Sequence, residues 1–403
     1  MDCQSRSFGQ GALRLIRLRI LTLSTLFPAA NRPNFGIFVE RQCSALSAVR
    51  DFSVTVINPI GIAPWPLNLF TQQASLRELP FEEEWGGLTV YRPRFTAIPK
   101  IGGRFNPAMI ASAVLPLARR LHAENPFDLI DAEFFFPDGP AAMRLSKALG
   151  IPFTIKARGA DIHHWGSQSG TAQQVLQAAD SASGLLAVSS ALKSDMVKLG
   201  MAADNITVHY TGLDQSRFVP RDRAEEKAKL GIIGPLILCV GALIPRKGQA
   251  LLIAALPDIP DATLMLAGLG KSEADYRALA NRLGIAERVR FMGNVAHDDL
   301  PALFAAADVM ALVSASEGLA NAWVEALACG TPIVASDVGG IHELVKTADA
   351  GRIVERNPDD IADAIRELLA NPPAPCTVAA SVSAFSWDEN ARQLAAFFRR
   401  VVD

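Results

Sequence analysis

A chain of 403 residues, half of them hydrophobic and a fifth charged, has the balance of a globular protein and the length for two or three domains. Its formal charge of −2 provides no basic field of the kind that holds nucleic acid, so no nucleic-acid partner is expected. Five cysteines at 3, 43, 239, 329 and 376 show neither metal-ligand spacing nor a disulfide framework, and no apolar run approaches the ~18 residues of a membrane helix.

Residues 1–17 read as a loose tail. Arg14, Arg17 and Arg19 interrupt the apolar stretch Ala12–Thr25, so it lacks the continuous core of a signal peptide, and a cytoplasmic protein is expected. Arg19–Thr25 then holds the first buried strand. Candidate strands continue at Ser53–Ile57, Leu129–Ala132, Phe153–Lys156 and Gly184–Val188, with helices at Phe38–Val49, Pro107–Glu124 and Gly139–Leu149 between them. A second series follows at Leu236–Val240, Thr263–Ala267, Val289–Phe291, Val309–Val313 and Pro332–Ala335. Its helices are Gln249–Ala255, Ser272–Leu283, Leu300–Ala306 and Ala322–Ala328. Such alternation implies βαβ units and parallel sheets. Two series imply an α/β protein of two doubly wound domains, the first over 18–219 and the second over 220–383. Prolines 372, 373 and 375 mark a pause before a last amphipathic helix, Trp387–Val402, within the segment 384–403. A ligand belongs at the carboxyl ends of the strands, in the cleft between the domains.

Two segments carry chemistry. After the strand Val309–Val313, Glu317 and Glu325 stand eight positions apart, with a Gly318-Leu319-Ala320 turn between them opening a helix that stops at Gly330. Free N–H groups at that helix start can hold phosphate oxygens. Glu317 can accept hydrogen bonds from sugar hydroxyls, and Glu325, about one turn inside the helix, can bind a ribose diol. The bland alternative is a capping loop followed by a surface glutamate. The second segment, Val240-Gly241-Ala242-Leu243-Ile244-Pro245-Arg246-Lys247-Gly248, runs from a strand into a basic turn. Its arginine and lysine can neutralise a departing diphosphate. The bland alternative is a solvated turn.

Together these segments resemble the retaining glycosyltransferases of family 4, which have the two-domain GT-B fold of Rossmann-like halves. The resemblance runs from Arg19 almost to the C-terminus. Leu23–Pro28 and Pro33–Glu40 look like the first strand and donor-facing loop of the family's polysaccharide-assembly members. Asp131-Ala132-Glu133, Pro137-Asp138-Gly139 and Ala157–Ile162 match later cleft-facing turns. Val188-Ser189-Ser190 and Gly212-Leu213-Asp214 match the approach to the linker, and Val338-Gly339-Gly340 with Glu343 a later turn. Phe385-Ser386-Trp387 resembles the start of a final helix that crosses back to the first domain.

The resemblance implies roles. Arg246 and Lys247 would hold the donor's diphosphate, Glu325 the ribose, and Glu317 with the N–H groups of Leu319–Ala322 the transferred sugar and phosphates, so that Gly318, Leu319, Ala320 and Asn321 all bind the donor. Met292, Gly293 and Val295 would lie against the base, and Gly36 would permit close backbone approach from the other domain. Arg158, Asp161 and His163 would stand on the acceptor side. No metal and no other cofactor is implied, and no Asp-x-Asp follows a strand to chelate one. Three positions depart from the family pattern: Ala242 where an arginine often follows the glycine, Arg158 where many members have histidine, and Thr211 where asparagine is usual.

The expected protein is thus a hexosyltransferase using a UDP- or GDP-sugar. Its acceptor would be a glycan or polyprenyl-linked glycan in surface or exopolysaccharide biosynthesis. Its rivals are a sugar-nucleotide epimerase or hydrolase on the same fold, and a non-catalytic nucleotide-sugar-binding protein. Residues 91–120 hold six Lys or Arg and no acid, interleaved with apolar side chains, which fits either a peripheral face toward the inner side of the cell membrane or a solvated helix and loop. His163-His164 beside Trp165 can line an acceptor groove. His122, His297 and His342 show no partner in sequence. Gly268-Leu269-Gly270 lacks the third glycine of a dinucleotide loop, Glu273 standing in its place.

Overall fold

The computed structural model describes residues 17–65, 74–98 and 103–403, so the expected tail lies almost wholly outside the described residues. The first sheet contains β1 (Leu18–Leu23), β2 (Phe52–Ile57), β4 (Glu82–Trp85), β5 (Leu88–Tyr91), β7 (Leu129–Ala132), β8 (Phe153–Ala157), β9 (Gly184–Ala187) and β10 (Ile206–Val208). A separate pair, β3 (Ile60–Ile62) and β6 (Arg94–Thr96), flanks it. The second sheet contains β11 (Leu236–Val240), β12 (Thr263–Ala267), β13 (Val289–Gly293), β14 (Val309–Leu312), β15 (Ile333–Ser336) and β16 (Gly351–Val354).

The first sheet runs β10-β9-β8-β7-β1-β2-β5-β4, parallel throughout except for the edge hairpin β4–β5. The second runs β13-β12-β11-β14-β15-β16, all parallel. Renumbered from β11, that is the doubly wound order 3-2-1-4-5-6. Both sheets therefore reverse direction of growth at one point, between β1 and β7 and between β11 and β14. Central strands such as β7, β8, β9, β14 and β15 are buried at every position, which is why they read as continuous apolar runs rather than alternations.

Three regions carry elements the sequence reading leaves blank. Between Ile57 and Tyr91 the chain forms β3, the β4–β5 hairpin and the short helix Ala74–Arg77. The hairpin turns on Gly86 and Gly87, both at positive φ (59° and 80°), the combination a primed two-residue turn requires. The segment from Ala160 to Val208 adds the helices Ala172–Ser181 and Ser190–Lys198 before β10. After Ala335, β16 is followed by the helix Pro358–Ala370, which the Asn357 side chain caps at Asp360 N–H.

The last helix, Trp387–Val402, starts under a Ser386 cap and buries Leu394, Ala395, Phe397 and Phe398. These pack in one cluster with Ile20, Val39, Leu46 and Phe52, all of the first domain. A Cβ on Gly212 would stand 2.4 Å from the Trp387 ring, so the helix start is seated directly on the chain leaving β10. The C-terminus thus ties the second domain to the first.

Arg92 corrects one expectation about residues 91–120. It is fully buried, its guanidinium shared among Glu83, Asn58 Oδ1 and the Pro28 carbonyl, while Arg94 donates to the Arg92 and Leu79 carbonyls. Those two cations hold the loops that carry β3 and β6 and do not belong to an outer face. Lys100 lies outside the described residues.

Candidate active site

The loops leaving the two switch points face each other. From the second domain come Gly241–Gly248 after β11 and Ser314–Ala320 after β14. From the first come Ser24–Gly36 after β1 and Glu133–Phe136 after β7. A parallel sheet creates a crevice where its order reverses, and here two such crevices close on one cleft.

Lys247 Nζ donates to Glu317 Oε1 at 2.5 Å, with the two side chains only 15% and 10% exposed. Arg246 stands differently. It is 41% exposed, donates to the Ser316 carbonyl, and its nearest approach to Glu317 is 3.6 Å. Past Glu317 the chain passes Gly318 and enters the helix Asn321–Ala328, whose first N–H groups have no side-chain cap. The two second-domain loops meet the first domain in one cavity of about 290 Å³, lined by Lys247, Glu317, Leu319, Ala320 and Asn321 of the second domain and by Phe38 and Arg158 of the first. Beside it lies a larger cavity of about 600 Å³, between Asn34–Phe35 of the first domain and Ala242, Gly268, Leu269, Asn294 and Val295 of the second. Glu325 faces a third pocket, with Asn321, Arg41 and Trp387 around it, and its Oε1 lies 3.1 Å from His297 Nε2.

The domains touch through glycines. A Cβ on Gly318 would stand 2.6 Å from the Arg158 carbonyl oxygen, and one on Gly159, at φ 118°, 2.7 Å from the Gly318 nitrogen. Neither position admits a side chain at this separation. Ser189 Oγ donates to the Gly318 carbonyl at 3.1 Å, and Asn34 Nδ2 to the Val295 carbonyl at 3.1 Å. Glu343 accepts from Ser190 N–H at 2.9 Å and from the Tyr210 hydroxyl, so it caps a first-domain helix from the second domain.

Under the first-domain wall lies a buried polar chain. The Glu133 carboxylate accepts from Arg158 and from Gln42 Nε2, and Lys156 Nζ donates to Gln42 Oε1 at 2.5 Å and sits 2.8 Å from His209 Nδ1. His209 Nε2 reaches the Asn390 carbonyl of the last helix at 2.9 Å. Burial lowers the Lys156 ammonium to about 7 and holds His209 well below its ordinary value. Burial pushes Glu133 upward too, but Arg158 and Lys156 beside it win and hold it below the usual carboxylate value. Burial next to Glu133 raises Asp131 well above its ordinary value. An ionised Glu133 thus braces Arg158 from behind.

The sequence-derived residues fall into place unevenly. Lys247, Glu317, Leu319, Ala320, Asn321 and Arg158 share the smaller cavity, with Gly318 against its rim; Val295 lines the larger one. Met292 and Gly293 do not line it: Met292 is 36% exposed on β13, and the Gly293 carbonyl is engaged by Gly268 N–H. Gly36 answers to its own domain. At φ 72° it opens the helix Ile37–Ala48, and a Cβ there would meet the Leu26 carbonyl carbon at 2.5 Å, so the second domain does not dictate it. Asp161 is fully buried, its carboxylate accepting from the N–H groups of Phe135, Arg158 and Gly159. It shapes the acceptor-side turn from within. His163 bridges the domains, Nδ1 at 2.7 Å from Ser316 Oγ and Nε2 at 3.1 Å from Asp195 Oδ2. Sequence reasoning missed the partner of His297, the contact of Asn34, and the whole Glu133–Gln42–Lys156–His209 chain. Gly268 and Gly270 prove to be packing glycines, since a Cβ on either would meet a carbonyl oxygen of Gly241 or Leu243 at 2.1 Å.

A doubly wound pair with a lysine–glutamate contact and an uncapped helix start in its cleft defines a class, and the comparisons give its family. Residues 36–217 match the Glycosyltransferase Family 4 model and residues 222–393 the Glycosyl transferases group 1 model. A candidate teichuronic acid biosynthesis glycosyltransferase, TuaC of Bacillus subtilis, is 29% identical over 361 residues, covering 86% of this chain and 88% of that protein. The GDP-mannose-dependent alpha-(1-6)-phosphatidylinositol monomannoside mannosyltransferase of Mycobacterium tuberculosis is 36% identical over 209 residues, 47% of this chain and 54% of that protein. The match thus spans about half the length of that relative. Sucrose-phosphate synthase from Thermosynechococcus elongatus superposes with a TM-score of 0.80 at 22% identity, covering 96% of this chain and 99% of that one. Anabaena HepE in complex with UDP-glucose gives 0.73 at 24% identity, covering 95% and 100%. The fold is GT-B. The chain belongs to the glycosyltransferases of that superfamily, with a family 4 domain in its first half and a group 1 domain in its second.

Proposed function

We propose that the protein is a retaining hexosyltransferase that uses a UDP- or GDP-sugar and extends a glycan or lipid-linked glycan in polysaccharide assembly. One observation carries this reading: Lys247, Glu317 and the helix start at Leu319–Asn321 share one cavity, and Asn321 also lines the pocket that Glu325 faces, an arrangement that suits sugar, diphosphate and ribose in turn. The larger cavity beside Val295 has room for the base. Support comes from relatives: one is named as GDP-mannose-dependent, and HepE is solved with UDP-glucose. The TuaC name supports a polymer as product.

In this reading the glycosidic bond breaks as negative charge grows on the departing diphosphate, which Lys247 and the N–H groups at the helix start stabilise. Glu317 is held by Lys247 and positions sugar hydroxyls rather than acting as a nucleophile. The acceptor hydroxyl then attacks from the face the diphosphate leaves, its proton passing to a phosphate oxygen, and the anomeric configuration is retained. Among the described residues no helix is long and apolar enough to cross a membrane. Exposed Phe105, under the Arg104 guanidinium, and exposed Met109 support a peripheral membrane contact for collecting a lipid-linked acceptor.

Because protein groups meet the diphosphate charge, transfer in the presence of EDTA is expected to proceed at the rate seen without it. Sugar transfer to an added acceptor, followed with and without chelator, checks this. Activity abolished by EDTA and restored by Mg²⁺ or Mn²⁺ would contradict the mechanism.

A further inference from the structure

The diphosphate of a sugar nucleotide carries two phosphates, and one half-buried lysine beside a helix start is a thin answer to them. Ala242 offers no charge at the turn, and Arg246 spends its guanidinium on the Ser316 carbonyl at the rim. The first domain supplies another candidate. Arg158 is 7% exposed at its side chain; its NH2 pairs with the Glu133 carboxylate and its Nε donates to the Glu133 carbonyl at 3.3 Å. The guanidinium lies over the Phe38 ring, 4.6 Å from the centroid. Its remaining nitrogen, NH1, is buried and has no hydrogen-bond partner. A guanidinium N–H left unmade in a desolvated site is costly, and such groups call for an explanation in the site itself.

Arg158 and Phe38 form the wall of the 290 Å³ cavity opposite Lys247, Glu317 and the helix start. We propose that Arg158 NH1 donates to the phosphate of the sugar nucleotide next to the sugar, closing the diphosphate between Arg158 of the first domain and Lys247 of the second. This rests on the function proposed above and goes beyond it, since Arg158 moves from the acceptor side to the leaving group. Three features hold the fork for that purpose. Glu133 orients it, Phe38 supports its plane, and Gly159 against Gly318 sets the Arg158 main chain against the donor loop. Glu133 is a positioning residue in this arrangement. Domain closure and diphosphate binding are then one event, because the phosphate is gripped from both sides.

The test compares nucleotides that differ by the outer phosphate. Calorimetry would measure UDP against UMP, and GDP against GMP, on the unaltered protein, on Arg158→Gln and on Arg158→Lys. In Arg158→Gln the preference for diphosphate over monophosphate is expected to fall roughly 10- to 100-fold, with monophosphate affinity unchanged. Arg158→Lys, which keeps the charge without the fork, is expected to fall between. Affinity ratios are read within one sample, so a fraction of misfolded variant does not affect them. An unchanged ratio in Arg158→Gln, with only the acceptor KM raised, overturns the proposal and assigns Arg158 to an acceptor group. An equal loss for both nucleotides overturns it as well and leaves a structural arginine. No nucleotide binding by the unaltered protein instead removes the function on which the proposal rests.

Discussion

Lys247→Ala is expected to reduce turnover roughly 30- to 1000-fold, the effect of ~2–4 kcal/mol of lost transition-state stabilisation, while Arg246→Ala changes it less than about threefold. In sequence the two cations look equivalent, and each would be assigned a share of the diphosphate. The structure separates them. Lys247 is half-buried against Glu317 and lines the cavity, whereas Arg246 is 41% exposed and turned to the Ser316 carbonyl. Removing Lys247 also leaves the Glu317 carboxylate, 10% exposed, with only the more exposed Arg246 guanidinium 3.6 Å away, which adds to the loss. Steady-state kinetics on both variants, with circular dichroism to show that each is folded, checks the asymmetry. Comparable large losses in both variants would return Arg246 to the site.

The two glutamates are expected to fail in different ways. Glu325→Ala should weaken UDP or GDP itself by about tenfold or more, because a ribose contact is shared by donor and product. Glu317→Ala should leave nucleoside-diphosphate affinity within about threefold and lower turnover with the intact donor by roughly 100-fold, since its partner is the transferred sugar. The two stand in different pockets: Glu325 lies beside His297 in one, and Glu317 lies on Lys247 in the cavity shared with Arg158. Product-binding titrations set against turnover measure it. Equal losses of nucleoside-diphosphate affinity in the two variants would contradict the assignment.

Much of this was legible in the residues. The buried central strands read as apolar runs because parallel sheets cover both their faces, so β1, β7, β8, β11, β12 and β14 fall within a residue or two of expectation. The donor loop was legible for a similar reason. Its glutamates, glycine turn and helix start lie within a dozen consecutive residues, and local spacing fixes their geometry. The hairpin at Gly86-Gly87 and the helix behind Asn357-Pro358 carry ordinary local signals, a glycine pair for a primed turn and a capping Asn before Pro. What sequence did not disclose lies across long separations. Arg158 meets Glu133, Gln42 reaches Glu133 and Lys156, and His209 meets Asn390, and no spacing rule relates those positions. The direction of a side chain is equally silent, which is why Arg246 and Lys247 seemed interchangeable. Gly36 is under a real constraint, but one imposed by Leu26 of its own domain.

Group transfer is the property from which every assigned role follows. The direct measurement incubates the protein with UDP- and GDP-hexoses, with and without a glycan or lipid-linked glycan acceptor, and follows both products by mass spectrometry and NMR. The predicted result is nucleoside diphosphate released together with an acceptor one hexose longer, its new linkage keeping the anomeric configuration of the donor. Free hexose formed at the same rate whether or not acceptor is present, or a sugar nucleotide altered but not cleaved, would contradict it.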